Sequence, residues 1–495
     1  MELESILRFL ENKSILVTGA AGFLAKIFVE KILRVQPNVN KIYLLLRASD
    51  SNSAEQRLQN EVIGKELFRV LREKLGEHFD SFIKEKLVVV PGDITNENLG
   101  IKDSNLRDKI LKDVEIIVNS AATTDFYDKY DVSLAINTTG VMHVMSFAKK
   151  CAKLRMLLHV STAYVCGEGK GLIMEKPFSM GETLKETRSK LDFHVEKKLV
   201  QEKLNELHSR GVSEVDIAIA MRDFGMERAK LFGWPNTYVF TKAMGEMCLG
   251  QSKDDEFPIV VIRPTMITST YKEPFPGWIE GLRTIDSVIA GYGKGKLTSF
   301  LGNPKLIIDL IPADMVVNAM IVAMVAHVNQ HSSEMNIFHV GSSLRNPINF
   351  SMIHRFIYQY FVENPMLDKD EKPIKVVKGT VLNSMSTFRL FMAIRFVLPL
   401  KMLELMSISI FRPYFEDVYS NSMRRFKLVM HLVELYRPYL LFKGVFDDIN
   451  SEKLRQKVRE SCMEMEAFNF DPKCIDWADY IMKSHIPGLK KYVIK

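Results

Sequence analysis

The sequence predicts an α/β protein built on a doubly wound parallel sheet, followed by a mainly helical C-terminal domain. Three observations lead there. Six short apolar runs, "SILVTG", "KIYLLLR", "KLVVVPGD", "VEIIVNSA", "MLLHVST" and "IVVIRPT", alternate with helical segments, and continuous apolar runs are what strands buried on both faces require. The first run passes directly into a glycine-bearing turn and a helix, "VTGAAGFLAK". Beyond about residue 370 the alternation gives way to Met- and aromatic-rich helical stretches. The expected organisation is an α/β domain over residues 1–370, with an insertion at about 168–235, and a helical domain over 371–495.

The turn after the first strand makes the sheet Rossmann-type. Gly19 suits the tight turn, Gly22 lets backbone approach a pyrophosphate at the helix N-terminus, and Ala25 stands where only close helix–strand packing is needed. Ala20, Phe23 and Leu24 complete the expected cofactor-binding turn. The second strand ends in Arg47, where an NAD-binding sheet usually carries an acid for the ribose 2′-hydroxyl. A guanidinium there favours a 2′-phosphate and so NADPH; a solvated strand-end arginine is the alternative, and Asp50 stands nearby as a competing acid. Asp93, with Ile94, follows the third strand and can accept from an adenine amino group, while Ala121 and Ala122 after the fourth let a cofactor lie against backbone.

The fifth strand ends in "HVSTAYV", where the hydroxyl of Ser161 or Thr162 can orient a substrate carbonyl and share its developing charge. Helical spacing and i,i+4 charge pairs over 191–210 mark the insertion. "NTYVFTK" then sets Tyr238 and Lys242 one helical turn apart on one face. There the ammonium can hydrogen-bond a nicotinamide ribose and lower the phenol's proton affinity, which makes Tyr238 a usable proton donor. The Pro-, Gly- and aromatic-containing segment at 273–296 reads as loops covering a pocket. Residues 388–411 are apolar but broken by Arg389, Arg395, Lys401 and Glu404, so this segment lies in an interface or packs internally and does not span a membrane.

Composition narrows the function classes. The net charge of +7, from 67 basic against 60 acidic residues, is spread out and not gathered into runs, which argues against nucleic acid as the main partner. A mildly basic surface suits phosphorylated cofactors or an anionic membrane face, and composition does not choose between them. The five cysteines, Cys151, Cys166, Cys248, Cys462 and Cys474, show no paired spacing, which indicates free thiols in a reducing compartment. No metal is expected: the helical-spaced pair His327 and His331 lacks the glutamate of a zinc motif and reads as solvated helix-end residues. The first 14 residues carry neither a signal-peptide core nor a transit-peptide composition, so the first domain is expected on the cytosolic side.

These motifs, in this order, resemble the extended short-chain dehydrogenase/reductase superfamily. More narrowly, "KIYLLLRA", "HVSTAYVCGE", "GWPNTYVFTKAMGE", "IRPTMITSTYKEPFPGWIEG", "IPADMVVNAM" and "FDPKCIDWADYI" resemble plant alcohol-forming fatty acyl-CoA reductases, over nearly the whole chain. The resemblance implies reduction of a long-chain acyl-CoA by NADPH to a primary alcohol through the aldehyde, for wax, cuticle or suberin lipids. It implies Tyr238 as proton donor, Lys242 as its partner, and Thr162, or else Ser161, as the carbonyl-facing hydroxyl. It further implies peripheral attachment at the cytosolic face of the endoplasmic reticulum membrane, although the chain ends "KKYVIK" without a retrieval signal. The run "TTDFYDKYD" departs from the family's more acidic pattern, and 181–232 is the most individual tract. An aldehyde-forming reductase, a superfamily member acting on a sterol or nucleotide sugar, and a non-catalytic NADPH-binding scaffold are the alternatives.

Overall fold

The computed structural model describes residues 6–251, 257–328, 335–406, 412–460 and 466–494. Its centre is one seven-stranded sheet: β1 (Ser14–Thr18), β2 (Lys41–Leu46), β3 (Leu87–Pro91), β4 (Ile116–Asn119), β5 (Met156–Val160), β6 (Ile259–Pro264) and β7 (Asn336–Val340). The spatial order is β7-β6-β5-β4-β1-β2-β3, with every neighbouring pair parallel. All six predicted strands are present, and β7, "NIFHV", is an addition. The doubly wound order changes direction between β1 and β4, where the carboxyl ends of the strands diverge and open a crevice.

β1, β4 and β6 are buried along their whole length, as their unbroken apolar runs require. The helix Phe23–Val35 buries most of its length, from Phe23 to Leu33. The insertion forms two helices, Phe193–Ser209 and Glu214–Leu231, the first tied by surface pairs such as Lys203–Glu206 at 3.0 Å. Glu196 on the first helix is buried and accepts from Tyr130 at 2.8 Å, which anchors this helix to the body.

Two compact units result. The first comprises Met1–Glu280, Asp309–Asn346 and Gly444–Lys495; the second comprises Gly281–Ile308 and Pro347–Lys443. The stretch expected as a C-terminal domain is thus divided, 371–443 in the second unit and 444–495 in the first. Within the first unit the C-terminal residues tie back over long separations. The Asn318 amide donates to the Asn469 carbonyl at 2.9 Å, Tyr480 and Thr268 hydroxyls meet at 2.7 Å, and Lys491 pairs with Glu66 at 2.5 Å.

The second unit is mainly helical, with Thr284–Gly293, Phe350–Glu363, Met385–Met392, Leu398–Met406 and Arg412–Leu440, plus one parallel pair of short strands, Ser299–Leu301 and Thr380–Leu382. Residues 284–293 were expected as part of a covering loop and are a helix instead. The Asp286 carboxylate accepts from the Arg283 N–H at 3.3 Å, and Ile285 and Ile289, four apart, are buried on one face. His327 also differs from expectation: it is buried, its ring against Phe338 and Nδ1 2.9 Å from the Ala323 carbonyl. His331, Cys462 and 407–411 lie outside the described residues.

Candidate active site

The carboxyl ends of β1 to β5 bring the expected residues together. Gly19 adopts φ +67, and a Cβ there would lie 2.7 Å from the Ala121 backbone, so β1 and β4 approach as closely as glycine permits. Gly22 caps the following helix with no side-chain bond from the cap, and the helix N-terminus it opens is the end that favours an anion. A cleft of about 300 Å³ opens here, lined by Gly19, Ala20, Gly22, Arg47, Asp93, Ile94, Ala121 and Ala122 among others. Phe23 and Leu24 do not line it; they are buried, and Phe23 stacks on Trp278 at 5.1 Å.

Two further lining residues, Arg57 and Glu61, were not foreseen. Arg57 donates to the Arg47 carbonyl at 2.6 Å and forks onto Glu61 at 2.8 and 2.7 Å, so a second guanidinium stands where β2 ends. A basic residue on the helix after β2 is the only trace this leaves in sequence. Asp50, the competing acid, instead caps the helix Ser51–Arg57 and accepts the Ser53 N–H at 2.8 Å. That bond, with help from the Ser49 and Ser53 hydroxyls, holds its carboxyl below the usual range.

The second part of the site is the helix Thr237–Gly250. Asn236 caps it by accepting the Val239 N–H at 3.1 Å, which fixes the first turn that carries Tyr238. Gly245, where a Cβ would meet the Asn137 carbonyl at 2.3 Å, lets the helix pack tightly on the segment before Gly140. Tyr238 is half-buried, its ring stacked on Phe126 at 5.6 Å. Phe126 belongs to the "TTDFYDKYD" run, and the neighbouring Tyr127 hydroxyl reaches Asp223 of the insertion at 2.7 Å. The "TTDFYDKYD" run therefore covers the tyrosine and is itself bonded to the insertion.

Lys242 is buried and donates to the Val160 carbonyl at 2.7 Å, tethering its helix to the end of β5. Burial lowers its pKa to about 8, against which the Glu246 charge acts. The next two residues are Ser161 and Thr162, both buried. The Thr162 hydroxyl oxygen accepts from the Tyr164 N–H at 3.3 Å and keeps its own hydrogen to donate. Ser161 Oγ is buried with no hydrogen-bond partner among the described residues, the condition of a group that a ligand completes. Cys151, Cys166 and Cys248 do not suit a nucleophilic role, since burial pushes each up to about 12.

Residues 17–320 match an NAD-binding family model and residues 395–495 a second one, both described as "Male sterility protein". The chain is 55% identical over 493 residues to the alcohol-forming fatty acyl-CoA reductase of Simmondsia chinensis, covering 100% of this chain and 99% of that protein. It is also 55% identical over 491 residues to fatty acyl-CoA reductase 1 of Arabidopsis thaliana, with 99% of each covered. With fatty acyl-CoA reductase 2 of Homo sapiens the identity is 26% over 500 residues, covering 100% and 87%. Among solved structures, the terminal reductase domain of the myxalamid pathway matches in fold with a TM-score of 0.58 at 14% identity, covering 98% of this chain and 92% of that one. The reductase domain of a nonribosomal peptide synthetase from Mycobacterium tuberculosis does so with 0.56 at 16%, covering 99% and 96%.

Proposed function

The chain belongs to the fatty acyl-CoA reductase family, and from that premise we propose that it reduces a long-chain or very-long-chain acyl-CoA to the primary alcohol and CoA, using NADPH. The observation that carries the reading is the tether of Lys242 to the end of β5, which sets the Tyr238 helix beside the two strand-end hydroxyls and next to the nucleotide cleft. A nicotinamide cofactor supplies hydride when bound. Gly19, Ala20 and Gly22 would cradle its pyrophosphate, Ala121 and Ala122 would face its backbone-side surface, and Asp93 and Ile94 would meet its adenine.

Tyr238 gives its phenolic proton to the substrate oxygen at each of the two reductions. Thr162, with Ser161, donates to the same oxygen and shares the charge that develops when the thioester carbonyl becomes tetrahedral. As the C–S bond breaks, the hemithioacetal hydroxyl returns its proton to the Tyr238 phenolate, CoA leaves as thiolate and takes a proton from solvent, and the aldehyde remains for the second reduction, after which solvent restores the phenol. Lys242, as ammonium, lowers the phenol's proton affinity.

Arg47 and Arg57 together support NADPH over NADH, since a 2′-phosphate takes two charge-assisted partners. The test incubates the protein with NADPH and acyl-CoAs of graded length, following NADPH loss, CoA release and extracted lipid. Two NADPH per CoA, with primary alcohol as product, is the expected result; aldehyde at one NADPH would move the protein to the stopping reductases. The double variant Arg47→Ala, Arg57→Ala should lower the NADPH-to-NADH preference at least about tenfold, the value of one lost charged hydrogen bond. An unchanged ratio would sink the two-arginine reading.

Among the described residues, no helix is long and apolar enough to cross a membrane. Leu390, Ile394, Leu398 and Met402, each four residues from the next, are 62%, 60%, 51% and 57% exposed and form one apolar stripe, with exposed Arg395 and Lys401 beside it. That pattern supports docking on an anionic phospholipid surface, in keeping with peripheral attachment at the cytosolic face of the endoplasmic reticulum. In vesicle flotation, the wild-type protein should rise with anionic liposomes, and Ile394→Asp with Leu398→Asp should stay at the bottom. Equal flotation of both proteins would remove the stripe from the membrane contact.

A further inference from the structure

Strand register places three polar residues in one row beneath the Tyr238 helix. Thr18 on β1 pairs with Asn119 on β4, and Asn119 pairs with His159 on β5. All three side chains are almost wholly buried, with exposures of 0%, 1% and 0%. Buried polar groups in a parallel sheet need partners, and each finds one in the next. The Ala121 N–H donates to Thr18 Oγ1 at 3.3 Å, Thr18 Oγ1 donates to Asn119 Oδ1 at 2.6 Å, and Asn119 Nδ2 lies 3.0 Å from His159 Nδ1. His159 Nε2 lies 3.4 Å from Lys242 Nζ.

The direction of this row is set from its far end. A backbone N–H can only donate, so Thr18 turns its own hydrogen to Asn119 Oδ1. That fixes the amide and points its N–H₂ at His159 Nδ1. The ring is neutral, because burial first and the Lys242 charge second hold its pKa well below the usual value. With Nδ1 accepting, the single ring hydrogen sits on Nε2 and is aimed at Lys242. An amine has a lone pair to receive it; an ammonium does not.

We propose that Thr18, Asn119 and His159 form a polarised hydrogen-bond row that makes His159 a positioning residue for Lys242, aiming the Nε2 hydrogen at the lysine nitrogen and so favouring the amine over the ammonium. This rests on the reading of Lys242 as the partner of Tyr238. The other titratable groups around Lys242 are accounted for. Glu246, one turn on, is buried and bound by Arg263 of β6 at 3.0 Å, and Tyr238 lies one turn before. His159 is thus the neutral neighbour whose hydrogen adds to the burial that already favours the amine of Lys242. Because Ala121 and Thr18 flank the Gly19 turn, the row also runs from the floor of the nucleotide cleft to the lysine.

The consequence is a pH profile. Lys242 is needed as ammonium, so kcat should fall as pH rises through its folded pKa, near 8 in the wild type. Thr18→Val keeps the shape but removes the hydroxyl that orients Asn119. The amide is then free to turn Oδ1 toward His159, which moves the ring hydrogen to Nδ1 and offers Lys242 a lone pair. The alkaline limb should move up by about one pH unit, with KM for acyl-CoA within about twofold. Thr18→Ser, which retains the hydroxyl, should leave the limb in place. Asn119→Asp, an acceptor only, should move it in the same direction as Thr18→Val and further.

A limb that stays put in folded Thr18→Val and Asn119→Asp, with thermal melts like the wild type, would overturn the row as a tuning device. Absence of turnover in the wild type would instead count against the reductase reading, so the two failures are distinct.

Discussion

Tyr238→Phe should lower kcat on the order of 10²–10⁴-fold, the range a positioned proton donor contributes. Phenylalanine keeps the ring and hence the stack on Phe126, so the fold around the site and the cover of the "TTDFYDKYD" run should persist. Binding of cofactor should be little changed, and KM for acyl-CoA should stay within a few fold. Single-turnover measurement of NADPH oxidation separates this from a defect in binding. Full activity in this variant would end the assignment of Tyr238 as donor and pass that role to another group.

The second large effect is expected at Gly19. Its φ of +67 disfavours any side chain, and the added Cβ of Gly19→Ala would meet the Ala121 Cα and N, both at 2.7 Å. Backbone has no rotamer by which to yield, so the β4 end must shift, and with it the floor of the cleft. A weakening of NADPH binding on the order of 100-fold is expected, with a stability loss of roughly 1–2 kcal/mol from the left-handed conformation. Fluorescence titration with NADPH and a thermal melt give the two numbers. Affinity within threefold of the wild type would show that this turn does not hold the pyrophosphate.

The legible parts of this protein were those whose physics is local. β1 to β6 stand out because a strand buried on both faces must be apolar throughout. The turn at Gly19 and the four-residue step from Tyr238 to Lys242 are short-range patterns with mechanical meaning. β7 escaped because "NIFHV" is short and opens on a polar residue, and what makes it a strand is its pairing with β6, more than 70 positions earlier. His159 was in view within "HVSTAYV" but silent, since its partners Asn119 and Lys242 come from another strand and a helix. Arg57 and the helix Thr284–Gly293 were lost in the same way, each resembling an ordinary surface or loop residue run until tertiary neighbours are known. The helical C-terminal character was readable from composition, whereas the return of 444–495 to the first unit was not.

That return has a consequence during synthesis. Lys491 pairs with Glu66 across 425 positions, and Tyr480 and Asn469 close contacts with residues near 268 and 318. The nucleotide-binding body therefore cannot finish folding while the ribosome is still making the chain. Its sheet can begin to assemble on the nascent polypeptide, but β7 and the closing tail arrive late, so apolar edges wait exposed for the length of translation. A premature stop that spares every motif of the site would still leave an unclosed body, and such fragments should be taken up by chaperones or degraded before they can act as shorter enzymes.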